Sequence, residues 1–187
     1  MLAPELQDYE RQIDANRRDA RDLVAGLSDA QFNWCPAPGR WSMAQCFDHL
    51  NVATRKTFPA FDRAIADARA RGRTAPGPFR YGWFARWMIR SMEPPPRRRM
   101  RAPRIFTPAL ERRLADAFPE FLAVRDQLVE RVHRAEGLDL QRVRVVSPVS
   151  RLLRMPLGAY FAFILAHERR HLWQAREVRR AAGFPGA

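Results

Sequence analysis

Two histidines four residues apart, His167 and His171 in "AHERRHLWQA", can present two imidazole nitrogens to one metal ion, and Glu168 completes the H-E-x-x-H pattern of zinc proteases. On a helix the two positions differ by about 40° in azimuth and lie ~6 Å apart along the axis, so both rings face one point. They continue a stripe begun by Tyr160 and Ile164, which puts that point inside the protein. Two imidazoles buried there without partners would cost about 1–3 kcal/mol for each unsatisfied polar group. A metal ion removes that cost by taking a lone pair from each ring. Two ligands seldom make a stable site, so a third donor is expected from a facing helix. His49 is the natural one: it lies two turns into "RWSMAQCFDHL", on the side of Cys46 and Ala53, where Ala53 leaves room near the helix axis. His133, the remaining histidine, falls one position off the stripe of its own helix and is expected at the surface.

The protease pattern itself fails further along the chain. Such enzymes take their third ligand from a His six residues after the second, or from a Glu on a following helix. Here Glu177 occupies the first place and the chain ends at Ala187. Glu168 lies about 80° from the direction midway between the histidines and is expected as a surface carboxylate or one just outside the ligands. Gln45 and Gln174 each fall within a turn of an expected ligand and can orient an imidazole or pack at the core edge. Tyr160 reads as a core aromatic, with a hydroxyl that could also meet a substrate. Cys46, one turn before His49, would close the site as a structural zinc centre if it added a thiolate, and is read instead as a packed thiol.

Helices must carry these residues. Leu6, Tyr9, Ile13, Asn16, Ala20, Leu23 and Leu27 recur at spacings of three and four, which predicts a first helix from near Pro4 to Gly26. Ser42, with Gln45 three residues on, predicts the capped start of a second helix that runs to about Arg71, kinked or broken at Pro59. From 72 to 108 seven prolines interleave with Trp83, Phe84, Trp87 and Met88. This reads as a long crossover with one short helix near Tyr81 to Met92, its aromatics anchoring it to the helices. Leu114, Phe118, Phe121, Leu128 and Val132 mark a third helix whose main part begins near Pro119, after a short turn from Pro108. Val143, Val145 and Val146 lack an evident strand partner, so that stretch is expected as an extended linker. The fourth helix opens at Pro156 and runs to Gly183. Four helices, no sheet and one long crossover predict an all-α four-helix bundle in one domain spanning 1–187.

Composition narrows the function. Of 33 basic residues all but Lys56 are arginines, and the net charge is +13. Spread along whole helices, they read as solvated faces, so no nucleic-acid partner is expected. The dense group Arg97, Arg98, Arg99, Arg101 and Arg104 sits in the crossover, either as a soluble loop or as a holder of an acidic ligand. The longest apolar run, Leu157 to Ala166, is about half of the ~20 residues a membrane span needs. An acidic N-terminus and two cysteines, read as packed thiols, point to a cytoplasmic protein with no membrane partner.

With these residues in view, "RWSMAQCFDHLNVA" followed much later by "AHERRHLWQAREV" resembles the paired signatures of the DinB-like (DinB/YfiT-like) superfamily of metalloenzymes, and "MEPPPRRRMRAPRIFTP" looks like the crossover of one branch. The resemblance covers nearly the whole chain. It implies an up-up-down-down four-helix bundle with a long crossover between helices two and three. It also implies a divalent ion, zinc or nickel, on His49, His167 and His171. Relatives include transferases that use a low-molecular-weight thiol and metal-dependent hydrolases. Three expectations follow for a small-molecule substrate or none. The first is a thiol-dependent transferase in which the metal presents a thiolate to an electrophile, the arginine loop holding the cofactor's carboxylates. The second is a hydrolase of a small amide or ester with Glu168 as general base. The third is a non-catalytic binding or dimerisation bundle stabilised by metal. A homodimer is compatible with a bundle, although no apolar stripe is clearly surplus.

Overall fold

The computed structural model describes residues 2–96 and 101–186. Pro4–Val24 form α1, entered through Pro4 where a missing amide proton costs nothing. Asp29–Asn33 form the short α2, and Met43–Ala70 the long α3. Ser42 caps α3 as its spacing predicts: its hydroxyl accepts from the Gln45 amide at 3.1 Å, and Gln45 Oε1 accepts from the Ser42 amide at 3.0 Å. Gln45 is thereby committed to the cap and does not orient a histidine. The same box, Ser28 with Gln31, opens α2, a helix the hydrophobic pattern did not reveal.

Trp83–Met92 form α4, followed by a 3-10 turn at Arg104–Phe106 and by α5, Leu114–Arg134. Pro59 neither breaks nor ends α3, and α5 begins five residues ahead of Pro119. Both proline rings stand on exposed positions, where water can take the carbonyl each leaves unbonded, while Phe58, Phe61 and Phe121 hold the buried face. Packing outweighs the local proline penalty here.

The valine-rich stretch is not a linker. Arg144–Val146 (β1) pairs antiparallel with Arg154–Pro156 (β2), Val145 opposite Met155, and both of these side chains are buried. The missing partner was the segment just ahead of α6, Leu157–Arg179. A Cβ on Gly158, in the first turn of α6, would stand 1.9 Å from the Tyr81 hydroxyl and 3.1 Å from Leu140 Cβ. Tyr81, which also reaches Tyr9 Oη at 3.2 Å, can come in only because position 158 has no side chain.

The architecture is an all-α four-helix bundle of α1, α3, α5 and α6 to which the two-stranded hairpin is appended. Both α1 and α3 pack chiefly on α5 and α6, so α1 stands diagonal to α3, and α5 to α6. Three of the crossover aromatics do not anchor it, although Phe79 and Tyr81 pack on the core. Trp83, Phe84 and Trp87 are exposed, and α4 is seated on α6 through Ala85 and Met92 instead. No helix among the described residues is long and apolar enough to cross a membrane.

Two apolar clusters fill the bundle. One gathers Ile13, Phe61, Val124, Leu128, Phe161 and Leu165; the other Ala20, Phe47, Leu50, Phe121 and Leu172. Between them each helix carries buried polar residues, and the site lies at that level.

Candidate metal centre

His49 from α3 meets His167 and His171 from α6, with one ring nitrogen of each within 4.8 Å of the other two. His49 Nε2 and His167 Nε2 are 3.1 Å apart. Metal–imidazole bonds of about 2.0–2.1 Å at a tetrahedral angle separate two nitrogens by roughly 3.3 Å. The spacing therefore suits ligands of one ion.

Tautomer and charge state agree with that use. His49 Nδ1 lies 2.7 Å from the carbonyl oxygen of Phe106. A carbonyl can only accept, so Nδ1 carries the proton and Nε2 turns its lone pair toward the other two rings. His49, only 2% exposed, has its pKa lowered by burial against the opposing pull of the Phe106 carbonyl and Asp48. His167 keeps some accessible surface, yet its ring is enclosed deeply enough that burial, joined by His171, His49, Arg170 and Arg125, pushes its pKa well below the ordinary value. Burial, with His49 and Arg170, brings His171 down to about 3 against the pull of the Gln174 side chain, which raises it. All three rings are thus neutral at pH 7 and keep a lone pair for a cation. His171 Nδ1 is buried and has no hydrogen-bond partner among the described residues. An ion is the kind of partner that orphan and its neighbours lack.

Aromatic rings wall the cluster. Trp41 lies 4.9 Å from His49 and 5.6 Å from His171, nearly parallel to the latter, and Phe163 lies parallel to His167 at 6.4 Å. The returning crossover closes one side. Asp48 accepts from the Ala109 amide at 2.7 Å and pairs with Arg112, which also holds Glu120 at 2.6 Å. That clamp fixes the segment that brings the Phe106 carbonyl to His49. Nothing in the sequence marks Phe106, since its contribution is a main-chain atom. Two surface grooves, of about 130 and 190 Å³, lie by the hairpin, and none of the histidines lines either.

Other expected residues fare variously. Glu168 is not at the surface: it is fully buried, with Oε2 accepting from Asn16 Nδ2 at 3.0 Å and Oε1 3.0 Å from Arg125 Nε, an ion-pair contact without hydrogen-bond alignment. Gln174 does reach His171. Tyr160 is a core aromatic, edge-on to Phe61, with its hydroxyl near those of Ser147 and Thr57. Cys46 is buried in the core with its thiol pKa raised by burial and is no member of the cluster, whereas Cys35 is exposed rather than packed. His133 is at the surface, 3.1 Å from Glu10. Arg97, Arg98 and Arg99 lie outside the described residues; Arg101 and Arg104 are exposed. Arg125 was missed altogether, although it sits four residues after Phe121 and three before Leu128, at core spacing.

A family model described as the DinB superfamily matches residues 12–175, most of the chain and all three histidines. The chain belongs to the DinB superfamily. Among solved structures this DinB member is similar to YfiT from Bacillus subtilis, described as a probable metal-dependent hydrolase with an unusual four-helix bundle topology. The TM-score is 0.61 at 12% identity over 95% of this chain and 87% of that one, a likeness of fold. No curated protein matches significantly. Fold family and geometry together give this DinB chain a three-histidine cluster that could hold one metal ion.

Proposed function

We propose that His49, His167 and His171 hold one divalent ion, zinc or nickel, and that the protein is a metal-dependent hydrolase of a small amide or ester. The observation that carries this is the Phe106 carbonyl, which holds His49 in the tautomer whose Nε2 faces the other two rings. A divalent ion held there would polarise a carbonyl and lower the pKa of a water. The chain's own part is to keep three imidazoles neutral by burial and to exclude bulk water with Trp41 and Phe163. Glu168 is not assigned the base, because its oxygens are engaged by Asn16 and Arg125. The hydrolase description of YfiT agrees in kind. An up-up-down-down helix order and a cytoplasmic setting, in keeping with two free thiols, belong to the same reading.

Elemental analysis of purified protein beside His171→Ala tests the ion: one per chain, lost in the variant. Turnover of a nitrophenyl ester without added thiol, abolished in His49→Ala, tests the reaction. Ester turnover indifferent to His49 overturns the hydrolase.

One observation favours a second reading. Among the described residues the cluster contains no carboxylate, and attack by a low-molecular-weight thiol, ionised by the ion, needs none as a base. A thiol-dependent transferase predicts conjugation of an aryl halide to such a thiol by the metal-loaded protein, with no ester turnover in its absence.

A further inference from the structure

Each of the four bundle helices places at least one buried polar side chain at the level of the histidines. Asn16 of α1 lies between Ile13 and Ala20, Asn51 of α3 between Leu50 and Phe58, Arg125 of α5 between Phe121 and Leu128, and Glu168 of α6 between Leu165 and Leu172; the flanking residues belong to the two apolar clusters. The Arg125 guanidinium is the hub. Its central carbon lies over the Phe121 ring at 3.6 Å, Nη1 donates to Asn51 Oδ1 at 2.8 Å, and Nε stands 3.0 Å from Glu168 Oε1. Glu168 is in turn held by Asn16.

Stability does not explain this arrangement well. A buried ion pair forfeits so much hydration that replacing both partners with apolar groups is often neutral or stabilising. Placement explains it better. Asn51 stands two residues from His49, and Glu168 adjoins His167. One rigid guanidinium therefore grips both helices that carry the histidines, next to those histidines, where apolar contacts alone would let α6 turn or slide with little penalty.

We propose that Arg125 is a positioning residue for the histidine cluster: by bridging Asn51 and Glu168 it sets the relative rotation of α3 and α6, and so the convergence of His49 with His167 and His171. This rests on the metal reading above. Partners just outside a metal's ligands commonly change affinity 10- to 100-fold, and a bridge that aims two ligand helices belongs in that range.

The test uses the full chain, stripped of metal and titrated with zinc by calorimetry, with cobalt(II) absorption to report coordination geometry. The double variant Arg125→Met with Glu168→Gln removes both charges of this pair, and Gln can still meet Asn16. It should fold, bind zinc 10- to 100-fold more weakly than wild type, and show an altered cobalt spectrum, while Arg125→Lys, charged but unable to fork between two acceptors, falls between. Asn51→Ala, which removes one arm without touching a charge, should weaken binding in the same direction and is read if the double variant does not fold. A merely structural role would move the melting temperature and leave zinc affinity and the cobalt spectrum as in wild type. That result, in either folded variant, overturns the proposal. A wild-type chain that takes up no ion overturns the metal reading and the proposal with it, whereas wild-type binding matched by the variants overturns the proposal alone.

Discussion

His49 donates through Nδ1 to the main-chain oxygen of Phe106 at 2.7 Å, so a residue of the crossover sets which nitrogen of an α3 histidine faces α6. The crossover is therefore part of the centre, held there by Asp48 through Ala109 and Arg112.

Releasing that hold should weaken the centre without emptying it. Asp48→Ala leaves the Ala109 amide without its acceptor and Arg112 with Glu120 alone, a loss of about 1–3 kcal/mol in stability. Zinc affinity is expected to fall roughly 10-fold as the Phe106 carbonyl loosens from His49. Calorimetric titration of stripped protein measures it, and an unchanged Kd would separate the crossover from the centre.

The depressed histidines make the metal-free protein acid-sensitive. With His171 at about 3 when folded and 6.5 when unfolded, the unfolded chain takes up protons that the folded chain refuses. His49 and His167 are displaced in the same direction. The stability these neutral rings contribute is whole above about pH 6.5 and drains away as the pH falls toward 3. Melting curves in the presence of a chelator should show the decline, and His171→Phe should flatten it. A melting temperature that stays level from pH 7 to pH 4 would contradict the burial of these rings.

Gly158 admits Tyr81, so Gly158→Ala forces a methyl into the space of the hydroxyl, 1.9 Å away. Overpacking of this kind costs about 1–3 kcal/mol. Tyr81→Phe in the same chain removes that oxygen but leaves the ring carbon at 2.9 Å, so thermal melts should show partial recovery only. Full stability in the single variant would mean the tyrosine is not seated there.

The two thiols should differ sharply. Cys35 is exposed and should react promptly with a maleimide, while Cys46, buried with its pKa raised by desolvation, should wait for unfolding. Mass spectrometry is expected to find one adduct per native chain and two in denaturant.

Much of this was legible along the chain because it is local. A spacing of four puts His167 and His171 on one face of any helix, Ser42 and Gln45 cap whatever helix follows them, and the apolar stripes place four helices. Their order and the motif "RWSMAQCFDHL" were enough to bring His49 into the same set. Proline misled at 59 and 119, since its local penalty is settled by packing on the opposite face of the helix.

What pairs at a distance could not be read. Arg125 sits at core spacing but is one arginine among many, and Glu168 looks like the base of a protease pattern, until the fold buries each against the other. The hairpin needed a second strand from beyond a turn, and the Phe106 carbonyl is an atom every residue owns. Periodicity reports which side of a helix is buried. Which opposing group will be there to satisfy a buried charge or orient a ring depends on the packing of the other helices and the path of the crossover.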